Sequence, residues 1–205
     1  MSAPKIKICG LSRAADIAAV NRYRPDYVGF ILGYPPSRRS ISLEQAAVLI
    51  AALDKTITPV GVFVDAPLAD MLAAVTRRGV RVIQLHGHET DDTVRALKAA
   101  TDVPIWQAFR VREAADIARA MCSAADMVLL DGASPGSGNA FDHSLLRQVQ
   151  RPFILAGGLP PANVTEALQR CRPWGVDMSS GVETDRVKDA EKIAAAIAAV
   201  RTINT

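Results

Sequence analysis

Two kinds of segment alternate along the whole chain, and this alternation limits it to few folds. Eight short runs rich in β-branched and aliphatic residues alternate with eight alanine- and leucine-rich stretches that have helical spacing. The runs are predicted strands at Lys5–Cys9, Tyr27–Leu32, Pro59–Val64, Val80–Leu85, Val103–Phe109, Met127–Asp131, Phe153–Ala156 and Gly175–Met178. The stretches are predicted helices at Arg13–Arg22, Leu43–Leu53, Pro67–Arg78, Thr90–Ala99, Arg112–Met121, Ser144–Val149, Pro161–Arg170 and Asp189–Val200.

Eight strand–helix units in succession predict an α/β protein. Alternation of this kind is typical of parallel strands joined by crossover helices. Eight units favour a closed (β/α)8 TIM barrel over an open, doubly wound sheet, and the 205 residues then require tight connections between elements. Because no linker, low-complexity tract or change of composition divides the chain, we expect residues 1–205 to form a single domain.

Composition and charge exclude several classes of partner. Hydrophobic residues make up 49% of the chain and charged residues 22%, which is typical of a globular protein rather than a disordered one. The net charge is +3 and no basic run is interleaved with aromatic residues, so we expect no nucleic-acid partner. Without a signal core or an apolar run of membrane-spanning length, we expect no membrane association. An odd number of cysteines without a disulfide-framework spacing indicates reduced thiols and a cytoplasmic location.

A barrel confines its active site to the carboxyl ends of the strands and to the loops that follow them. Polar side chains and small residues at these ends are therefore candidate site residues, whereas polar residues elsewhere are expected on the surface. The positions that satisfy this criterion are Cys9, His86, Asp131, Gly157, Gly158, Ser179, Ser180 and Gly181.

The first strand, KIKIC, places a lysine on the same face as its terminal cysteine. Alternation directs Ile6 and Ile8 towards the helices, and Lys7 and Cys9 into the barrel. A lone cysteine is commonly a small, inert apolar residue. Lys7 favours a functional interpretation, because a nearby cation favours the thiolate over the thiol. The two other cysteines, which end predicted helices and are interpreted as structural, are Cys122 and Cys171.

The sixth strand, MVLLDG, buries four apolar residues and then presents Asp131. A carboxylate after a strand often only caps a loop. At a barrel rim, partly desolvated by the preceding apolar run, the same carboxyl group can act as an acid or a base. The glycine-rich segment GASPGSGNAFDH that follows predicts a mobile flap over the pocket, although such segments often merely turn.

The loops after strands seven and eight are rich in glycine and serine. ILAGGLPPANV places Gly157 and Gly158 before a proline-started helix, and VDMSSGVE places Ser180 and Gly181 after the last strand. Small residues let backbone N–H groups approach an anion, and barrels frequently hold a phosphate between these two loops. The alternative is two tight turns without a ligand. The occurrence of both loops together favours the phosphate site.

Two further segments supply candidate ligand-binding side chains. The loop GYPPSRRSIS contains Arg38 and Arg39 behind two prolines, and an arginine can grip a planar carboxylate through two parallel hydrogen bonds. His86 and His88 have the H-x-H spacing of some metal sites, but the glycine between them is expected to end the strand and no third ligand of similar quality is evident. We therefore predict no metal ion. His86, which shares a face with Gln84, is expected to line the pocket or to bind a loop.

Eight motifs occur along the chain in the order KICGLS, VGFILGYPPSRRSIS, GVFVD, QLHG, LLDG, GSGNAFDHSLL, LAGGLPPANV and GVDMSSGVE. Together they resemble the phosphoribosylanthranilate isomerase family of tryptophan biosynthesis. The resemblance implies a barrel enzyme that catalyses an Amadori rearrangement of a small phosphoribosyl substrate, without a metal or redox cofactor. It also implies that Cys9 is the catalytic cysteine, Asp131 the general acid and Arg39 the arginine that binds the substrate carboxylate. The glycine and serine turns after strands seven and eight would hold the phosphate.

In this interpretation Cys9 accepts a proton from the substrate, and Lys7 helps to keep the Cys9 side chain a thiolate. If Cys9 is only a packing residue, the base becomes Asp177, which should face the same interior from the neighbouring strand. The flap departs from the family, which often has a glycine, a basic residue and a tryptophan near Pro135, Asn139 and His143. The resemblance therefore does not specify the flap motion or the aromatic wall of the pocket.

Two other functions stay open at this point. A metal-dependent pentose-phosphate epimerase would need a convergent His/Asp metal cluster, which the sequence lacks. A non-catalytic sensor of phosphoribosyl ligands would not need both Cys9 and Asp131 at strand ends. We expect a monomer, with a homodimer as the alternative.

Overall fold

A computed structural model of the chain describes residues 3–132 and 143–203, without the side chains of residues 143, 144 and 147. Eight parallel strands form a closed barrel, in which the first strand pairs with both the second and the eighth. The predicted (β/α)8 barrel is thereby confirmed. The strands β1 to β8 are Lys5–Cys9, Tyr27–Leu32, Thr58–Phe63, Val82–Leu85, Ile105–Val111, Met127–Gly132, Phe153–Ala156 and Gly175–Met178.

Seven α-helices pack around the barrel in the described part of the chain. The helices α1 to α7 are Ala14–Tyr23, Leu43–Ala51, Leu68–Arg78, Asp91–Ala100, Ala114–Cys122, Val164–Cys171 and Ala190–Arg201. Between β6 and β7 a 3₁₀ helix, His143–Gln148, takes the place of an α-helix. None of the helices in the described ranges is long and apolar enough to cross a membrane.

Helix starts follow from capping residues in the sequence. Ser42 begins α2 with a reciprocal capping box: its Oγ accepts from the Gln45 amide, and the Gln45 side chain accepts from the Ser42 amide. Asp189 begins α7 by accepting from the amides of Glu191 and Lys192. These caps fix where the chain leaves the loops at the barrel's carboxyl end and turns back along its outer surface.

Strand alternation separates two apolar clusters. Ile6 and Ile8 lie in the large core between the sheet and the helices, whereas Cys9 faces the barrel interior, which confirms the orientation predicted for β1. The inner cluster comprises Cys9, Val60, Val62, Val82, Trp106, Leu129, Ile154 and Ala156. At the amino end of the strands, the rings of Tyr27, Trp106 and Trp174 pack in tilted and edge-to-face pairs at centroid distances of 5.0 to 6.1 Å. This aromatic cluster fills one end of the barrel and leaves the cavity at the other.

Three short strands are absent from the prediction, and several predicted elements begin one to three residues away from their observed starts. Ser40–Ile41 pairs with β2, and Glu183–Thr184 forms an antiparallel hairpin with Val187–Lys188 after β8. We call the segment 183–188 the β8 hairpin. The strand predicted from Val80 begins two residues later, because the amide of Val80 still bonds back to the end of α3. The helix predicted from Pro161 begins at Val164, after a turn.

Candidate active site

One cavity of about 310 Å³ opens at the carboxyl end of the barrel. Most of the predicted site residues converge on it, from six of the eight strands or from the loops after them. The predicted residues that line it are Cys9, Arg39, His86, Asp131, Gly157, Gly158, Asp177, Ser180 and Gly181. Lys7 does not reach the cavity surface; it lies one residue pair deeper in the barrel, beneath Cys9. The volume is sufficient for a small-molecule ligand.

Lys7, Cys9 and Asp177 form a buried polar group at the cavity floor, with Lys7 the deepest of the three. Register pairing sets Lys7 of β1 directly beside Asp177 of β8, and the Lys7 Nζ donates to Asp177 Oδ2 at 2.9 Å. Their side chains are 1% and 7% exposed, so this ion pair is shielded from solvent. Within the described residues the second carboxylate oxygen, Oδ1, has no hydrogen-bond partner. Asp177 also lines the cavity, although this oxygen itself is buried.

Room for this group comes from Gly29 on β2, a residue that the sequence reasoning missed. A methyl group at Gly29 would lie 2.7 Å from the Cys9 Sγ and 3.0 Å from the Lys7 Nζ. Only glycine therefore allows both side chains to lie inward at this level of the barrel. A glycine in the middle of a predicted strand, between Val28 and Phe30, was the available signal.

Burial governs the protonation of Cys9. Loss of solvent raises the pKa of the Cys9 thiol and is the largest influence on it; the Lys7 ammonium opposes this rise, and the Asp177 carboxylate adds to it. Lys7 thus acts in the predicted direction, but burial outweighs it, so the pKa of the Cys9 thiol lies above that of an exposed cysteine. Burial would lower the pKa of Lys7, yet Asp177 and Cys9 together raise it, so Lys7 stays charged.

Asp131 lies across the cavity from the β1 side, at the end of β6, with 35% of its side chain exposed. Its Oδ2 is 3.8 Å from the Nε2 of His86. The other ring nitrogen of His86, Nδ1, lies 2.9 Å from the Gln84 amide Nε2, which confirms that these two side chains share a face. With the amide as donor, the imidazole carries its proton on Nε2 and presents an N–H towards the carboxyl group.

The two histidines of the H-x-H sequence do not converge. His86 faces the cavity, whereas His88 is exposed and its Nδ1 lies 2.9 Å from Asp65 Oδ2. Among the described residues, no group of three or more His, Cys, Asp or Glu side chains is arranged to hold a metal ion. All three cysteines of the chain are free: Cys9 is buried, Cys171 is half-buried and Cys122 is exposed.

The loops after β7 and β8 lie against each other beside Asp131. In the described ranges the amides of Gly157 and Gly158 have no hydrogen-bond acceptor, and both residues line the cavity. A methyl group at Gly181 would lie 2.0 Å from the Leu159 carbonyl oxygen, so this glycine allows the two loops to touch. Gly157 has a second role, because a methyl group there would lie 2.6 Å from Asp131 Oδ1.

Arg39 reaches the cavity from the loop after β2 and is held there by a partner that the sequence reasoning missed. Its Nε donates to Glu183 Oε1 at 2.7 Å and its Nη2 to Oε2 at 2.9 Å. Glu183 belongs to the β8 hairpin, and Arg38 and Lys188 also donate to its carboxylate. No pattern in the sequence indicates this pairing, because 144 positions separate the two residues.

The glycine-rich segment predicted as a flap, with Pro135 and Asn139, lies outside the described residues, as does the His143 side chain. The described part of the site thus contains the barrel floor, the loops after β7 and β8, and the arginine loop.

The fold and the site define a (β/α)8-barrel enzyme with a thiol and a carboxyl group facing one cavity and glycine-rich loops at its rim. The family model for N-(5′-phosphoribosyl)anthranilate isomerase matches residues 6–199, and the chain belongs to that family. An enzyme of this name from Clostridium kluyveri is 43% identical over 201 residues, which cover 97% of this chain and 98% of that protein. The motif resemblance identified in the sequence is thereby confirmed.

Solved structures agree with this assignment. The phosphoribosyl anthranilate isomerase of Thermotoga maritima has a TM-score of 0.89 at 33% identity, over 98% of this chain and 100% of that one. A structure of phosphoribosyl anthranilate isomerase with reduced 1-(o-carboxyphenylamino)-1-deoxyribulose 5-phosphate has a TM-score of 0.86 at 31% identity, with the same coverage. Generated monomers of the dimeric Thermotoga maritima isomerase have a TM-score of 0.85 at 32% identity, again with 98% and 100% coverage.

Proposed function

We propose that this isomerase converts N-(5′-phosphoribosyl)anthranilate to 1-(2-carboxyphenylamino)-1-deoxyribulose 5-phosphate, with Asp131 as general acid and Cys9 as general base. The observation that carries the assignment is that both groups line one cavity, from strands β1 and β6 of the same barrel. An Amadori rearrangement needs two proton transfers at neighbouring atoms of the sugar, and one acid and one base suffice for it.

The first step opens the ribose ring. Protonated Asp131 donates its proton to the ring oxygen while the bond from that oxygen to C1′ breaks, and the anthranilate nitrogen lone pair forms the C1′=N bond of a Schiff base. Asp131 is suited to this step because it is half-exposed at the cavity wall, where a substrate atom can reach it. The His86 Nε2 at 3.8 Å is near enough to stabilise the carboxylate that remains.

The second step removes the proton at C2′. The Cys9 thiolate, the form that Lys7 favours, accepts it. The electron pair of the C–H bond forms the C1′=C2′ double bond while the π pair of the C1′=N bond returns to nitrogen, and the resulting enolamine tautomerises to the ketone. Lys7 stabilises the thiolate from below without touching the substrate, since its side chain is fully buried. Asp177, which lines the cavity, would accept a hydrogen bond from a ribose hydroxyl.

The two charged ends of the substrate fit the two ends of the cavity. The loops after β7 and β8 offer the free amides of Gly157 and Gly158 to the phosphate, beside Ser180 and Gly181. Arg39, on the loop after β2, faces the anthranilate carboxylate. Held at both ends, the sugar carbons lie between the acid and the base.

The direct test is turnover. Phosphoribosylanthranilate is added without metal or nucleotide, and loss of its anthranilate fluorescence is followed. Activity that survives a chelator excludes the metal-dependent epimerase. A chain that binds the substrate without turnover would instead be the non-catalytic sensor, and the proposed function would be wrong.

The same proposal extends to assembly and location. Among the residues described, only Val48, Leu68 and Val187 are large exposed apolar side chains. We therefore propose a working monomer, with light scattering during size-exclusion chromatography as the test, and the three free cysteines support a cytoplasmic location. A dimer at micromolar concentration would contradict the monomer.

A further inference from the structure

The Arg39 guanidinium, which lines the cavity, uses only two of its five N–H donors on Glu183. Arginine carries five N–H donors in a planar fork. Glu183 binds the edge formed by Nε and Nη2, at 2.7 and 2.9 Å. Two N–H groups on Nη1 and one on Nη2 remain, and they form a second edge that can receive another carboxylate in the same two-point geometry.

Glu183 is itself firmly held. Its side chain is 5% exposed, and the Lys188 Nζ, 3% exposed, donates to its Oε1 at 2.7 Å. Arg38 donates to its Oε2 at 2.6 Å. Lys188 also donates to the Ser179 carbonyl at 2.9 Å, and Ser179 Oγ donates to the Cys9 carbonyl. The β8 hairpin therefore connects the arginine loop to the ends of β8 and β1.

The net positive charge around Glu183 favours the binding of a second anion beside Arg39. Three cations, Arg38, Arg39 and Lys188, contact the single carboxylate of Glu183, which leaves two positive charges uncompensated within the cluster. A substrate carboxylate on the outer edge of Arg39 would thus meet net attraction despite the nearby glutamate. The Arg39 stem passes over Gly10, where a methyl group would lie 2.5 Å from its Cδ, so the guanidinium is confined near the base, Cys9.

We propose that Glu183 is a positioning residue for substrate specificity: it orients Arg39 so that the free edge of the guanidinium receives the aryl carboxylate of the substrate. The inference rests on the proposed function, in which Arg39 binds that carboxylate. Glu183 does not touch the substrate. It restricts the Arg39 guanidinium to one orientation before the substrate binds, so less side-chain conformational entropy is lost on binding.

The test compares two substrates in each variant: phosphoribosylanthranilate and the same aminoaldose phosphate made from aniline, which lacks the carboxylate. Product is measured by chromatography, and the readout is the ratio of the two kcat/KM values. This ratio does not depend on the folded fraction of a preparation, since the enzyme concentration cancels. We expect Glu183→Gln to lower the ratio by about tenfold to a hundredfold, mainly through a higher KM for the anthranilate substrate.

Asp185→Asn is the matched control, because it removes a carboxylate from the same hairpin at an exposed position. It should leave the ratio within about twofold of wild type, as surface changes usually do. Arg39→Ala should lower the ratio at least as much as Glu183→Gln, and the double variant should be no worse than Arg39→Ala alone, because the two residues act as a unit.

Two outcomes would overturn the inference, and only the second would also remove the role of Arg39 in binding the carboxylate. If Arg39→Ala lowers the ratio but Glu183→Gln impairs both substrates equally, Glu183 is merely structural and the role of Arg39 stands. If Arg39→Ala itself leaves the ratio unchanged, the carboxylate site of the proposed function fails and the positioning role fails with it.

Discussion

Conservative substitutions at Cys9 and Asp131 can remove a proton-transfer group while keeping the shape of the side chain. Cys9→Ser replaces a thiol by a hydroxyl that ionises far less readily, and Asp131→Asn removes the acidic proton while keeping the shape. Each proton transfer contributes about 10²–10⁴-fold, so kcat should fall by at least that factor with KM changed little. Steady-state kinetics on folded variants checks this. A Cys9→Ser enzyme with near-normal kcat would contradict the base assignment and transfer it to Asp177.

The buried neighbours of Cys9 should shift its reactivity in opposite directions. The Asp177 carboxylate raises the pKa of the Cys9 thiol and Lys7 lowers it, so Asp177→Asn should move the pKa down and Lys7→Met should move it up. The measurement is the rate of iodoacetamide alkylation against pH, with Cys122 and Cys171 replaced by serine. The wild-type rate should rise with a midpoint above the usual thiol range of about 8.5. A lower midpoint in Lys7→Met would refute this account.

Single residues differ in how far the sequence could predict them. Cys9, Asp131 and Gly158 could be predicted because strand ends and alternation place them without knowledge of any other element. Glu183 could not, because its role depends on a contact with Arg39 across the closed barrel. The protonation of Cys9 was also beyond the sequence, since it depends on how completely β2 and β8 cover the thiol.

At the scale of elements, all eight strands were predicted within two or three residues, because buried parallel strands are short apolar runs bounded by turns. The β8 hairpin was missed. Its strands, Glu183–Thr184 and Val187–Lys188, are two residues long and mostly polar, and Glu183 and Lys188 bind each other as well as partners on other loops.

The contact between the loops after β7 and β8 should be a determinant of phosphate affinity. A side chain at Gly181 would collide with the Leu159 carbonyl, so Gly181→Ala must separate the loops. We expect KM for the substrate to rise about tenfold or more, and inorganic phosphate to become a weaker competitive inhibitor by a similar factor.

Gly79→Ala is the control for this change. Gly79 has a φ of +79° at the end of α3, at the amino face of the barrel, so the substitution should lower stability by about 1 kcal/mol without changing KM. If Gly181→Ala binds phosphate and substrate as wild type does while folded, these loops are two tight turns and not the phosphate site.

At the scale of the whole molecule, the Lys7–Asp177 pair joins the first strand to the last and so lies at the closure of the barrel. Removing one member leaves a buried charge without its partner. Lys7→Met should therefore lower the free energy of unfolding by about 3–5 kcal/mol, whereas the apolar pair Lys7→Met/Asp177→Leu should recover most of that loss. Urea unfolding at neutral pH measures both.

Recovered stability should not restore activity, because the double variant lacks the cation that favours the Cys9 thiolate. The pH dependence of folding stability gives an independent test of the Lys7–Asp177 pair. The folded-state pKa of Lys7 is raised, so the stabilisation from its charge is fully present below the unfolded pKa of about 10.4 and is lost as pH rises through the folded value. Wild type should therefore lose stability in strong alkali more steeply than the double variant. A double variant that is both stable and fully active would show that the pair only closes the barrel and that Cys9 works without it.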